Sequence, residues 1–73
     1  MRVADLQEIV QAARIDPSLY SFDAETDESL CLLAFGQEWR VFISERGKRM
    51  EERTFSSEVD ACVHLLKRLF RLR

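Results

Sequence analysis

Cysteine, histidine, proline and glycine are all scarce in this 73-residue chain, with two Cys, one His, one Pro and two Gly. Cys31 and Cys62 cannot build a disulfide-rich framework. Both lie inside apolar runs, where an unpaired thiol behaves as a small buried hydrophobe. Two buried free thiols are therefore expected, in a reducing compartment. With His64 they are the only soft metal ligands in the sequence. Cys62 and His64 are two positions apart on a predicted helix, so they project roughly 200° apart and do not chelate one ion. There is no CxxC and no HxxxH, so neither a metal nor a cofactor is expected. Two glycines leave no phosphate-cradling loop. No run approaches the roughly 20 apolar residues of a membrane span. The opening "MRVADLQEIVQAAR" carries acids where a leader would need an uninterrupted apolar segment. The expectation is a cytoplasmic chain without a membrane partner.

Catalytic signatures are equally sparse. Nucleophilic catalysis needs a nucleophile, a base and an orienting group. His64 sits mid-helix beside apolar positions, which suits a core-edge histidine better than a general base. Ser56 and Ser57 have a simpler duty as helix caps, and no GxSxG occurs. Carboxylates occur close together (Asp27–Glu28, Glu51–Glu52, Asp23 with Glu25), but glycosidase chemistry needs two of them facing across a cleft. Neighbouring strand residues point to opposite faces. The chain is not expected to be an enzyme.

What is present is charge, unevenly placed. The net charge is −2. Residues 1–38 hold eight acids and two bases, whereas residues 39–73 hold nine bases and five acids. An acidic half can steer the approach of a basic partner.

The length suffices for a single domain, residues 1–73. Residues 2–15 are predicted as an amphipathic helix, with Val3, Leu6, Ile9, Val10 and Ala13 on one stripe and Pro17 ending it. "LYSFD" is a short strand or an extended connection, and "AETDE" a polar turn. "SLCLLAF" (29–35) is apolar on both faces, as in a strand covered on both sides. Gly36–Gln37 reverses the chain into "EWRVFISE" (38–45). There Trp39, Val41 and Ile43 share one face, and Arg40, Phe42 and Ser44 the other. Gly47 turns it again into a polar edge strand, 49–55, whose charges oppose edge-to-edge aggregation. Ser56 or Ser57 caps a last helix, with Asp60 placed as in a capping box. Val59, Val63, Leu66, Leu69 and Phe70 are expected as its buried stripe, with Cys62 beside it.

The fold class is therefore α+β. A helix, a three- to four-stranded antiparallel sheet and a second helix form two layers, with both helices on one sheet face. The other face then carries Phe42 with Arg40 and Ser44. Left bare, it is a candidate interface, including for a homodimer; a loop or the Tyr20–Phe22 segment is the alternative cover.

The order helix–three strands–helix also recurs in double-stranded-RNA-binding domains, which carry lysines at the start of the last helix. Here that place reads "SSEVDA", and Glu58 and Asp60 repel phosphate. Lys67, Arg68, Arg71 and Arg73 form a basic patch, but they also suit the helix dipole. Nucleic acid is not the expected partner.

The run "EWRVFISERGKRMEERTFSSEVDACVHLLKRL" resembles small bacterial immunity or antitoxin partners of polymorphic toxins. The matching residues are Trp39, Val41, Ser44, Glu45, Arg46, Gly47, Phe55, Ala61, Cys62, Leu65 and Leu66, within residues 38–69. The pattern is one of turns and packing and contains no catalytic signature. The resemblance implies a cytoplasmic protein that binds a cognate toxin domain and blocks it. Many such toxins attack nucleic acids or nucleotides through basic clefts. The acidic cluster Asp23, Glu25, Asp27 and Glu28 is the expected contact, with Arg40, Phe42 and Ser44 on the sheet face as the second. A homodimeric structural or regulatory module is the alternative.

Overall fold

A computed structural model describes residues 1–72, and side chains for residues 1–71. Arg73, the last base of the C-terminal patch, lies outside the described residues. The elements run α1 (Val3–Ala12), a 3-10 turn (Pro17–Leu19), β1 (Tyr20–Ser21), β2 (Ser29–Phe35), β3 (Glu38–Glu45), β4 (Lys48–Phe55) and α2 (Glu58–Leu72). The sheet order is β1-β2-β3-β4. β2–β3 and β3–β4 pair antiparallel, as the turn residues predict. β1 departs from the expected antiparallel sheet: its two residues pair parallel to β2, Tyr20 with Leu30 and Ser21 with Cys31. Between them the chain must return to the same end of the sheet, and residues 22–28 make that return.

The two hairpins follow from where positive φ is available. Gly36 takes φ 63 at the first central position of the β2–β3 turn, the pattern of a type II′ turn. At the β3–β4 turn both Arg46 (φ 52) and Gly47 (φ 77) are left-handed, as a type I′ turn requires.

α1 ends earlier than residue 15, and Pro17 is not what ends it. Arg14 adopts φ 57. Its N–H donates to the Gln11 carbonyl, and the Ile15 N–H to the Val10 carbonyl, both at 3.1 Å. This is a Schellman cap, in which Ile15 folds back onto Val10; both are buried. The left-handed position normally belongs to glycine because a Cβ there costs about 1 kcal/mol. Arg14→Gly is therefore expected to raise stability by roughly 0.5–1 kcal/mol in urea denaturation, although glycine also loosens the unfolded chain.

Both helices pack on one sheet face. The main core joins Leu6, Val10 and Ile15 to Leu30, Leu32 and Val41 and to Ala61, Cys62, Leu65 and Leu69 of α2. Ser57 Oγ accepts from the Asp60 N–H at 3.4 Å, so Ser57 is the cap. Glu58 Oε2 accepts from the Val3 N–H at 2.9 Å, tying the starts of the two helices together. Cys31 and Cys62 are free and buried. Burial first, then the carboxylate of Glu58, pushes the Cys62 thiol above its ordinary pKa, so it stays protonated and unreactive. No described helix is long and apolar enough to cross a membrane.

Two expectations are corrected here. The first is the phase of α2. Its buried stripe is Ala61, Cys62, Leu65 and Leu69, while Val59 (46% exposed), Val63 (37%) and Phe70 (42%) face outward. The second concerns the face that carries Phe42. That face is not bare: Phe42 is 0% exposed, Cys31 0% and Ser44 3%. In this fold Phe42 and Ser44 offer no surface to a partner.

Candidate binding surfaces

The cover over Phe42 is built by the acidic turn itself. Glu25 grips Arg49 with both oxygens, at 2.9 Å to Nη2 and 3.3 Å to Nε. The guanidinium carbon of Arg49 lies 4.7 Å from the Phe42 ring centroid and 5.0 Å from that of Phe35. Such stacking suits a weakly hydrated planar cation. Arg40 lies 4.8 Å over Phe35, and Glu52 bridges Arg40 and Arg49 at 3.5 and 3.4 Å. The Thr26 carbonyl accepts from Ser29 Oγ at 2.7 Å and lies 3.7 Å from Cys31 Sγ. Asp27 Oδ1 accepts from the Arg46 N–H at 2.6 Å, pinning the turn to the β3–β4 hairpin. The Glu28 N–H donates to the Ser44 carbonyl at 2.7 Å. The Arg49 hydrogen bond holds the Glu25 carboxyl below its ordinary pKa.

Of the seven residues expected to meet a partner, five have structural work of this kind. Glu25, Asp27 and Arg40 hold the cover in place, and Phe42 and Ser44 lie beneath it. Asp23 and Glu28 remain exposed, with no side-chain partner among the described residues. The resembling residues behave in the same way. Val41, Ser44, Ala61, Cys62 and Leu65 are buried, and Glu45–Arg46–Gly47 form the turn. The shared pattern therefore describes the framework.

The surface that sequence reasoning missed is the outside of α2. Val59, Val63, Leu66 and Phe70 follow one another at spacings of four, three and four. On a 3.6-residue helix this is one narrow line, centred roughly 120° around from the buried stripe. A shallow apolar depression here is lined by Val63, Leu66, Phe70 and the stems of Lys67 and Arg71. Half-buried Leu66 also packs against the core, whereas Val59, Val63 and Phe70, expected in the buried stripe, face outward.

The second feature is a cleft of about 660 Å³ between β4 and α2, lined by residues 51–55 with His64, Arg68 and Arg71. A β-bulge shapes it. Val41 pairs with Arg53 but Ile43 with Met50, so β4 holds one extra residue, and Glu51 sits there at φ 52. Arg68 clasps Glu51, at 3.0 Å to its carboxylate and 3.2 Å to its carbonyl. His64 lies against Phe55, with ring centroids 5.1 Å apart. Burial lowers the His64 pKa, and Arg68, Arg53, Arg71 and Lys67 lower it further.

A histidine held neutral in the fold but free to protonate when unfolded makes stability fall on acidification. Stability is expected to be level above about pH 6.5 and to decline as pH drops below it. His64→Gln should flatten that limb of a urea midpoint-versus-pH curve.

Among the described residues no three His, Cys, Asp or Glu side chains gather as a metal ion would need. Comparison with protein-family models, with curated proteins and with solved structures gives no match to this chain.

Proposed function

We propose that the chain is a non-enzymatic protein-binding module of the immunity type, which docks a cognate toxin domain through the outer stripe of α2. The observation that carries this reading is the exposed set Val59, Val63 and Phe70, with half-buried Leu66 between them, on a helix whose adjoining side is already committed to the core. Large apolar side chains exposed in a row on so small a domain favour a protein contact. The resemblance over residues 38–69 supplies the class of partner. Asp23 and Glu28 keep their side chains available to steer a basic partner, whereas Glu25 and Asp27 are occupied. The test is co-purification of the tagged chain with the product of the neighbouring gene. Recovery of a toxin domain that the chain inhibits supports the reading, and a neighbour that neither binds nor is inhibited removes it.

One observation favours self-association as a second reading. Asp60 and Lys67 flank the stripe on one side, seven residues apart and both exposed. Two antiparallel copies of α2 would set each Asp60 beside the Lys67 of the other, whereas parallel copies would leave both residues facing the other flank of the partner helix. Light scattering across a concentration series separates this arrangement from a monomer.

A further inference from the structure

We propose that the cleft between β4 and α2 is a binding site for a phosphate group, held by Arg53 and Arg71 with His64 at its wall. It is independent of the protein-binding reading.

The cleft's charges do not cancel locally. Its two acids are both engaged: Glu51 with Arg68 at 3.0 Å, and Glu52 with Arg40 and Arg49 at 3.5 and 3.4 Å. Arg53 and Arg71, which also line the cleft, make no ion pair or hydrogen bond among the described residues. Two guanidinium forks therefore face one concavity without a counter-charge, and planar guanidinium donors match phosphate oxygens. The imidazole contributes a second observation. Nε2 of His64 is buried and has no hydrogen-bond partner among the described residues. Leaving such an atom unpaired is costly, and an ion beside it is one of the recognised explanations. The charged groups around the ring are Glu51, Glu52 and Arg53 from β4 and Lys67, Arg68 and Arg71 from α2. The surplus is cationic, and it disfavours the imidazolium. A bound dianion reverses that balance, so phosphate binding and His64 protonation help one another.

The experiment is an NMR titration of the His64 ring protons in the full chain. It is run in chloride, in inorganic phosphate and in AMP at matched ionic strength. Phosphate is expected to raise the His64 pKa by about one unit, which corresponds to roughly tenfold tighter binding to the protonated form. The shift should vanish in the Arg53→Ala/Arg71→Ala double variant, whose fold is checked by its backbone amide spectrum. A larger shift with AMP than with inorganic phosphate identifies a nucleotide as the source of the group, and an equal or smaller one identifies the free ion. An unchanged pKa in both anions overturns the proposal. So does a shift that persists in the folded double variant, since that would place the anion elsewhere. Arg53→Lys, which keeps the charge and loses the fork, should retain only part of the shift.

Discussion

Phe42→Ala is expected to destabilise the domain by about 3–5 kcal/mol, the range for truncating a fully buried phenylalanine. A chain of this length has roughly 4–11 kcal/mol in total, so the variant should be partly unfolded at room temperature. The ring is 0% exposed although it points away from both helices. It lies in a small second core with Cys31 and Ser44, roofed by Arg49 and by the turn that Glu25 and Asp27 tie down. Removing the ring leaves a cavity under a polar roof, and that roof has little apolar material with which to collapse into it. Phe42→Leu keeps most of the volume and should cost much less, about 1 kcal/mol. Urea denaturation with an unchanged m-value is the measurement. On a bare face the same truncation would move stability by less than about 0.5 kcal/mol, so the experiment separates a covered face from an exposed one.

Val63→Asp is expected to do the opposite: little to the fold and much to binding. Val63 is 37% exposed in the middle of the outer stripe, and a carboxylate there remains solvated in the free protein. Stability should stay within about 0.5 kcal/mol of the parent. In a complex seated on the stripe, the charge would be desolvated without a partner. The loss is expected to reach about 2 kcal/mol or more, roughly a 30-fold weaker Kd. Leu65→Ala, two residues on but within the core, should reverse the pattern and cost 2–5 kcal/mol of stability. Calorimetric titration of both variants against the toxin domain, with their urea midpoints, checks the pair.

The two hairpins and the start of α2 were legible because each rests on local chemistry. Alternation placed Trp39, Val41 and Ile43 opposite Phe42 and Ser44, as the β2–β3 and β3–β4 registers have them. Gly47 marked one turn and Gly36 the other, and the Ser56–Ser57 pair marked the start of α2. The phase of α2 was not legible, because its apolar residues form two overlapping lines. Val59, Val63, Leu66, Leu69 and Phe70 read as core, and of these only Leu69 and, in part, Leu66 pack there. The sheet instead receives Ala61 and Cys62, whose small side chains bring the start of the helix close, followed by Leu65 and Leu69. Choosing between the lines requires the shape of the opposing surface. The roof over Phe42 was hidden for a different reason. It depends on Glu25 meeting Arg49 and Asp27 meeting Arg46, pairs 24 and 19 residues apart that show no local pattern. The early end of α1 was hidden because arginine occupies a position where glycine would have announced the cap.

The division of labour is then specific. The acidic turn, apart from Asp23 and Glu28, serves the fold, and the outer stripe of α2 is the surface we propose for a partner. Amide chemical-shift mapping of the labelled chain on titration with the toxin domain tests this most directly. The account predicts that the largest changes fall on Val59, Val63, Leu66, Lys67 and Phe70. Changes confined to residues 23–28, with α2 unperturbed, would contradict it.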